Sequence, residues 1–580
     1  MQNREKERRV MKKKIISLLL CAVMTVSLTA CGGNGAQTSS DGAQETAAPV
    51  AEESDGELGL AEQESDASIN DIANADNSAE REGINVGWRE ATSLEPWGTN
   101  NDIPGNYEVY EMLYECDAKG NRYPILADES RGEFGGYDHE EGSAVYDVYI
   151  YDYIKDHEGN PITASDVAFS YTWQFNNATA SGWGAFQMAE AVDDTTVRFT
   201  FEKELTDLGA LDNFLCRCFI VSEAACGGDG SALASKMCGT GPYKFDSYVS
   251  GSSLTIVKND DYWQTDESLR HQEQQANVRT ITYKFIAEGS QRQNGLTTGE
   301  LDMVYDMQRE NIAPFLDGGD QADKFNVQTY AQKFVYYLNC NCDPDMPTGD
   351  ENLRKAIYYA IDQDGLITAM GGTDSYTRAY AYVSDYYSDY DMVDWASLDN
   401  YNTKKSVDMN VVQEYLNASS YNGEKLVLML PSDYSTVGTV IAAQLEAAGI
   451  HAELKQVDNA TFNSTLTDKS AWDIVFNMMA GDYNVQVWAH DYSWANTGDG
   501  DHTQEFITDQ EWEDLLNLCN TEEGHTSENM KAWWEMATQH AYGMGLYTGN
   551  SYNIVPEECT YVCQGDKLVL LPGACTFNAE

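Results

Sequence analysis

The chain has 580 residues, and its 94 Asp and Glu residues outnumber its 36 Lys and Arg residues to give a formal net charge of −58. This balance argues against a nucleic-acid partner, because proteins that bind nucleic acid neutralise phosphates with Lys and Arg. The hydrophobic share of 42% is enough for several cores, and the acidity is typical of a soluble protein with a solvated surface.

The first 30 residues have the features of a secretory signal peptide. Seven basic residues lie between Arg4 and Lys14, and the apolar run that follows, residues 15–29, is shorter than the ~20 residues that span a bilayer. Residues 28–31, with the sequence LTAC, resemble a bacterial lipobox, which implies cleavage before Cys31 and acylation of its thiol. Two or more acyl chains would then hold the protein on the outer face of the cell membrane. Secretion without a lipid is the alternative.

A disordered acidic linker is predicted for the start of the mature chain, residues 31–83. After Cys31 this segment holds 13 acidic residues, one basic residue and no aromatic residue. Such a composition cannot bury enough apolar surface to offset the entropy lost on ordering the chain. We therefore expect an extended tether rather than a folded domain.

The cysteine content favours buried thiols over a metal site. The chain has 13 cysteines, and 11 remain once the signal peptide and the acylated Cys31 are set aside. An odd number precludes complete pairing within the chain, and whether any of the 11 form disulfides stays open. Two pairs, at 216 and 218 and at 340 and 342, are spaced by two residues but lack the further ligands of a zinc site.

Helices are predicted at two places in the body of the chain, which should become ordered near Ile84. Thr163 stands three residues before Asp166 at the start of an apolar-periodic segment, a pattern that resembles a capping box. Residues 352–362 carry apolar side chains on one helical face. Both signals predict structural helices rather than site residues.

A strand–helix–strand unit is predicted near the middle of the second half. Residues 426–431 form a short apolar run, residues 437–448 have helical periodicity, and Gly449 suits a helix end with positive φ. Alternating residues then predict a second strand, and residues 472–476 a third. Since ligands in open α/β sheets bind beyond the carboxyl ends of strands, Asp482 becomes a candidate site residue.

Six segments in chain order resemble the motifs of one protein family. They are residues 110–115, 123–130, 156–167, 239–243 with 259–263, 299–302 and 353–357. The series is similar to extracellular solute-binding protein family 5, the substrate-binding lipoproteins of peptide-type ABC importers. Asp156 and Glu158 depart from the family pattern in the third segment.

This resemblance implies an α/β protein with a two-lobed, type II periplasmic-binding-protein-like fold and an extra inserted subdomain. The implied bounds are 84–118, 237–328 and 545–580 for the first lobe, 119–236 for the insertion and 329–544 for the second lobe. Such a protein is expected to act as a monomer, to close over its ligand, and to deliver that ligand to the membrane subunits of an ABC permease.

The resemblance also implies the ligand-binding residues. Gly481-Asp482-Tyr483-Asn484 matches part of the segment in which family members bind a peptide's α-ammonium with an Asp, although Val485-Gln486 follows and Met479 replaces a Trp. Aromatic and polar residues are candidates for the rest of the cleft, at Trp97, Asn106, Tyr107, Tyr336 and Trp488. Oligopeptide capture is the predicted function, with an oligosaccharide receptor of the same family as the alternative.

Other classes of protein are less well supported by the sequence. A secreted enzyme is disfavoured because no H-E-x-x-H, G-x-S-x-G or phosphate-loop motif occurs. The eight histidines show no ligand-spaced pair, so no metal or other cofactor is expected.

Overall fold

The structure is a computed structural model that describes residues 80–89, 93–97, 103–116, 121–177, 185–206, 209–228, 230–373, 375–381, 388–480, 506–564 and 569–578. Its strands are β1 (Ile84–Trp88), β2 (Tyr114–Cys116), β3 (Arg122–Pro124), β4 (Tyr137–His139), β5 (Val145–Tyr149), β6 (Phe186–Asp193), β7 (Thr196–Phe201), β8 (Tyr243–Val249), β9 (Ser253–Lys258), β10 (Thr280–Phe285), β11 (Met303–Met307), β12 (Phe325–Cys340), β13 (Tyr376–Arg378), β14 (Leu426–Pro431), β15 (Ala452–Val457), β16 (Ile474–Ala480), β17 (Met544–Pro556), β18 (Cys559–Thr560) and β19 (Thr576–Phe577). Its α-helices are α1 (Asn106–Val109), α2 (Ala164–Asn177), α3 (Ala210–Leu215), α4 (Gly289–Thr298), α5 (Glu351–Ala360), α6 (Gln363–Met370), α7 (Met409–Ala418), α8 (Ser435–Ala447), α9 (Asn459–Leu466), α10 (Gln510–Cys519) and α11 (Ser527–Gln539).

One mixed sheet runs through most of the described structure. Its strand order is β15-β14-β16-β12-β17-β11-β1-β10-β9-β8, and β13 pairs with β17 beside this path. Strands β1, β10 and β11 are parallel at one end of the sheet, and β14, β15 and β16 are parallel at the other. The long antiparallel pair β12 and β17 connects the two parallel sets.

The predicted strand–helix–strand unit is present. Strand β14 spans the predicted residues 426–431, and α8 follows and leads into β15, which pairs parallel to β14. Gly449 has φ +83° just after the helix, as the sequence predicted. Strand β16, the predicted third strand, lies parallel to β14 on its other side. A parallel pair needs a crossover connection, and the apolar face of α8 supplies one that packs on the sheet.

The two predicted helices also form. The Asp166 carboxylate accepts hydrogen bonds of 2.9 Å from both the backbone N–H and the hydroxyl of Thr163 at the start of α2. Helix α5 ends at Ala360, two residues earlier than predicted, because Asp362 instead caps α6 by accepting from the backbone N–H of Gly365.

The buried apolar side chains form separate cores at the two ends of the β12–β17 pair. On β17, Leu546 packs in one core and Ile554 in the other. On β12, Leu338 packs in the same core as Leu546, and Val327 packs against the same core as Ile554. We call the core that holds Ile554 and Val327, with its neighbours from β1–β11, the first core, and the core around Leu338 and Leu546 the second core. The predicted lobe boundaries stay a prediction.

A smaller sheet, in the order β4-β5-β7-β6, lies within the segment predicted as the insertion, and α2 packs on it. The eleven cysteines after the linker are not joined in disulfides in the described residues, and most of them are buried. In the part of the chain that is described, no helix is long and apolar enough to cross a membrane.

Candidate ligand cleft

The carboxyl ends of the two parallel strand sets converge on one short stretch of the β12–β17 pair. Strand β11 ends at Met307 opposite Tyr552 of β17, and β16 ends at Ala480 opposite Phe334 of β12. Between these points the register of β12 and β17 is broken, since Ala331 pairs with Asn550 and Val335 with Thr548. Crevices at the carboxyl ends of strands are the usual ligand sites of α/β sheets, so this stretch is the base of the candidate cleft.

A chain of polar contacts covers the base of the cleft on the side of the first core. Arg89, directly after β1, forms a 3.0 Å ion pair with the Asp306 carboxylate. The Ser551 hydroxyl donates to the same carboxylate at 2.8 Å, and the Gln332 amide donates to the Ser551 oxygen at 2.8 Å. We call Arg89, Asp306, Gln332 and Ser551 the polar floor. Arg89 keeps 51% of its side chain exposed, so its guanidinium is accessible to a solute.

The backbone at Asp306 is held in an uncommon conformation. Its φ is +52°, a region that costs about 1 kcal/mol for a residue other than Gly and that Asp tolerates better than most. The Asp306 N–H donates to the Asn553 side chain at 3.2 Å, and its carbonyl accepts from the Arg292 guanidinium at 3.3 Å. These partners fix the orientation of the carboxylate that pairs with Arg89.

A second arginine lies beneath the polar floor. Arg292 is fully buried, and it donates to the carbonyls of Tyr305 and Asp306 and to the Gln308 side chain. Burial lowers the pKa of this guanidinium, and the Asp306 carboxylate opposes that change. Two guanidinium groups thus lie beside the Asp306 carboxylate.

An aromatic surface borders the cleft on the side of the second core. Tyr336, Tyr376 and Tyr434 are half-buried there, and the buried rings of Phe476 and Tyr547 pack behind them. The Tyr336 ring stacks on Tyr547 with 4.7 Å between centroids, and Tyr376 meets Tyr547 edge-on at 5.1 Å. We call the three half-buried residues, Tyr336, Tyr376 and Tyr434, the tyrosine wall. Aromatic faces of this kind bind apolar side chains, aromatic rings or sugar rings.

The polar floor and the tyrosine wall are contiguous. Tyr376 of β13 pairs in register with Gly549 of β17, and a Cβ at Gly549 would lie 2.5 Å from the Gln332 side-chain oxygen. Burial raises the pKa of Tyr376, and the nearby Glu310 carboxylate raises it further. Glu310 follows β11, so groups from both parallel strand sets act on the same tyrosine.

The structure places one predicted residue in this cleft and puts three others in the first core. Tyr336 belongs to the tyrosine wall. Trp97 is buried, donates from its indole nitrogen to the Phe219 carbonyl at 2.8 Å, and packs against Trp173. Tyr107 is buried against Phe219 as well. An indole donor and a tyrosine ring can serve a core or a cleft, so residue type alone did not distinguish the two positions.

Asn106 is buried in α1, and its side-chain amide has no hydrogen-bond partner within the described part of the chain. The ligand contacts predicted for Asn106, Trp97 and Tyr107 stay predictions.

The rest of the predicted site lies outside what the structure describes. Asp482, Tyr483, Asn484 and Trp488 fall in the segment 481–505, which is outside the described residues. The backbone of Met479 pairs with Val335 of β12, and its side chain is likewise outside the description. By chain position Asp482 comes two residues after the end of β16, the strand end that meets the cleft base.

Several cleft residues were not predicted from the sequence. Arg89 and Tyr434 follow the strands β1 and β14 closely, so the strand-end rule that selected Asp482 would also have selected them. Asp306, Gln332 and Ser551 come together only through the pairing of β11, β12 and β17, which no local pattern reveals. Among the described residues, no group of three or more His, Cys, Asp or Glu side chains is placed to hold a metal ion.

Comparison with known proteins identifies the family. The sequence model of "Bacterial extracellular solute-binding proteins, family 5 Middle" matches residues 123–501. The chain is 25% identical over 284 residues to the glutathione-binding protein GsiB of Pectobacterium atrosepticum, a match that covers 48% of this chain and about half, 51%, of that relative. It is 23% identical to the oligopeptide-binding protein AppA of Bacillus subtilis, over 66% of this chain and 69% of AppA.

Solved structures agree with this assignment at the level of the fold. The crystal structure of the ABC transporter substrate-binding protein CtaP from Listeria monocytogenes superposes with a TM-score of 0.67 at 18% identity, covering 86% of this chain and all of CtaP. The structure of Bacillus subtilis AppA with a bound nonapeptide gives a TM-score of 0.60 at 17% identity, covering 87% of this chain and all of AppA. The predicted two-lobed α/β fold is thereby confirmed. The chain belongs to family 5 of the bacterial extracellular solute-binding proteins.

Proposed function

We propose that this protein captures oligopeptides outside the cell and delivers them to the permease of an ABC importer. The observation that carries the proposal is the cleft in which two sets of strand ends meet, with an exposed ion pair on one side and a tyrosine wall on the other. The relatives support a peptide ligand, since AppA is an oligopeptide-binding protein and was solved with a nonapeptide.

The chemistry of a peptide fits both sides of this cleft. A peptide carries a carboxylate, an ammonium group, main-chain amides and side chains of varied polarity. The exposed guanidinium of Arg89 would bind a carboxylate, and Asp482, near the end of β16, would bind the ammonium group. The tyrosine wall would pack against apolar or aromatic side chains, and main-chain amides would pair with strand edges in the cleft.

One observation favours a second candidate, an oligosaccharide. Half-exposed tyrosines such as Tyr336, Tyr376 and Tyr434 stack on sugar rings as readily as on aromatic side chains. The distinguishing feature is charge, because a neutral oligosaccharide has no group that needs Arg89 or Asp482.

The location and the anchoring of the protein are part of the proposal. The signal peptide of residues 1–30 would be removed, Cys31 would be acylated, and the acidic linker up to residue 83 would extend the binding region from the outer face of the membrane. The protein would act as a monomer, and its predicted lobes would close around the peptide without catalysing any reaction. Intact mass of membrane-extracted protein should show a diacylated N-terminus at Cys31, and Cys31→Ser should release the protein into the medium.

The identity of the ligand can be tested by two measurements on the chain from residue 32 onwards. Mass spectrometry of the denatured protein should reveal peptides that co-purify with it. A thermal-shift panel of peptides and of cello- and xylo-oligosaccharides should then show stabilisation by peptides alone, because only a ligand of the folded state raises the melting point. Stabilisation by oligosaccharides alone, or turnover of a peptide, would overturn the proposal.

The cleft can be tested with matched variants. Arg89→Ala removes a charged group that would bind the ligand and should weaken peptide binding by about tenfold to a hundredfold, since a hydrogen bond to a charged group contributes about 1.5–3 kcal/mol. Arg279 is the control, because it is similarly exposed and forms a 2.9 Å ion pair with Glu80. Equal affinities of the Arg89→Ala and Arg279→Ala variants in calorimetry would place the ligand elsewhere.

A further inference from the structure

Two buried thiols of the described chain lie in direct contact. Cys116 is the last residue of β2, and Cys216 is the residue that follows α3. Their Sγ atoms are 3.1 Å apart, and the two side chains are 0% and 3% exposed. Sulfur atoms joined in a disulfide lie about 2.05 Å apart, so a movement of roughly 1 Å would bring these two atoms to bonding distance.

Neighbouring contacts hold the two thiols in this position. The β2–β3 hairpin, which carries Cys116, is tied to α3 by an ion pair of 2.6 Å between Arg122 and Asp212. At the other end of α3, the buried hydroxyl of Tyr171 lies 3.3 Å from the carbonyls of Phe214 and Leu215. The ion pair holds the hairpin against α3, and the Tyr171 hydroxyl holds α3 against α2, so the contact between the thiols follows from this packing.

We propose that Cys116 and Cys216 form a disulfide in the exported protein. The family is extracellular, and disulfides form and persist outside the cytoplasm. In the step, the two S–H bonds break and one S–S bond forms, and a disulfide-bearing oxidant such as oxidised glutathione accepts both electrons and both protons to become two thiols. Because the folded structure buries both sulfurs, the bond forms while the hairpin and α3 are still coming together after export.

The position of this bond gives it a structural role. Cys116 and Cys216 are 100 residues apart in sequence, and the segment between them contains α2 and the small sheet of β4 to β7. The bond would join the two ends of this segment. Closing a loop of this length restricts the unfolded chain strongly, and for a protein of this size we expect the bond to raise the melting temperature by about 4 °C.

The test needs only the wild-type mature protein. The chain from residue 32 onwards is exported or refolded in a glutathione redox buffer, denatured, alkylated without reduction and digested. A peptide pair linked through Cys116 and Cys216, lighter than the two reduced peptides by two hydrogen atoms, is the expected result. Complete alkylation of both thiols in protein that is folded and binds its ligand would overturn the proposal.

Variants separate this bond from any general effect of losing a cysteine. Cys216→Ser should abolish the linked peptide pair and make the melting temperature insensitive to a reducing agent. Cys218 is the matched control, since it is equally buried and only two residues away. Cys218→Ser should keep the linked pair and the loss of about 4 °C on reduction. If the melting temperature became insensitive to the reducing agent in Cys218→Ser but stayed sensitive in Cys216→Ser, the disulfide would belong to another pair and the proposal would be overturned.

Discussion

Glu108 makes the stability of the first core depend on pH in a way that one substitution can isolate. This residue of α1 is 1% exposed; it accepts a hydrogen bond from the Tyr283 hydroxyl and another, at 2.8 Å, from the backbone N–H of Gly573. Burial raises the pKa of Glu108 from its ordinary value of 4.5 to about 7, and the two hydrogen bonds lower it only in part. The folded protein therefore holds this carboxyl in its protonated form at pH values where the unfolded chain has lost the proton.

The sign and the size of the effect follow from this difference. A group whose pKa is higher in the folded state contributes its full stability below the unfolded pKa and loses it as the pH rises through the folded value. Between pH 4.5 and pH 7 Glu108 should lower the free energy of unfolding by about 3 kcal/mol, since each pKa unit corresponds to about 1.4 kcal/mol. Glu108→Gln replaces the carboxyl with a neutral group of the same shape and should remove this dependence.

The assay is urea unfolding of wild type and Glu108→Gln at a series of pH values, followed by tryptophan fluorescence. The two proteins should be about equally stable near pH 4.5, and the variant should be the more stable by about 3 kcal/mol at pH 8. Because the many other acids titrate in both proteins, the difference between them isolates Glu108. Glu453→Gln, which also replaces one carboxyl but at an exposed position, is the control for the loss of an acidic residue as such. A constant difference between wild type and Glu108→Gln across the series would refute the reasoning.

Three further predictions concern the ligand and the second core. Asp482→Ala should weaken peptide binding at least a hundredfold in calorimetry, since losing one partner of a desolvated ion pair costs about 3–5 kcal/mol, and an unchanged affinity would remove Asp482 from the site. Gly545→Ala would place a Cβ 1.9 Å from the Ala381 carbonyl oxygen and should destabilise the protein by at least ~3 kcal/mol in thermal unfolding. Gly83→Ala is the control, because the nearest atom to its Cβ would lie 3.4 Å away, and it should be tolerated. Arg354→Met leaves four backbone carbonyls without their buried donor and should lower the melting temperature markedly; a melting temperature equal to that of wild type would show that these bonds contribute little.

Local sequence patterns predicted the parts of the fold that are set locally. The strand β14, the helix α8 and the positive φ of Gly449 follow from an apolar run, a helical period and a glycine at the helix end. The end of α5 was predicted two residues late because Ile361 continues the apolar period, whereas Asp362 caps the next helix. Motifs in chain order predicted the two-lobed fold, which periodicity alone did not.

Local sequence patterns did not predict the contacts between strands that are far apart in the chain. Strands β12 and β17 are separated by more than 200 residues in the chain, and their pairing brings Gln332 and Ser551 to the cleft. The strand-end rule that selects Asp482 holds equally for Arg89, which follows β1 in the same way. Trp97 was predicted near the cleft from the family resemblance; its indole N–H donates to the Phe219 carbonyl, and its contact with a ligand stays a prediction.

The broken register between β12 and β17 has a mechanical consequence. These two strands contribute to both cores, and their register shifts at two places, between Ala331 and Val335 and between Tyr336 and Tyr337. Bending of the two strands should therefore concentrate between Ala331 and Tyr337, where their pairing is least regular. A Cβ at Gly549 would push against the Gln332 side chain beside this stretch, so Gly549→Ala should change the rate at which the ligand is released.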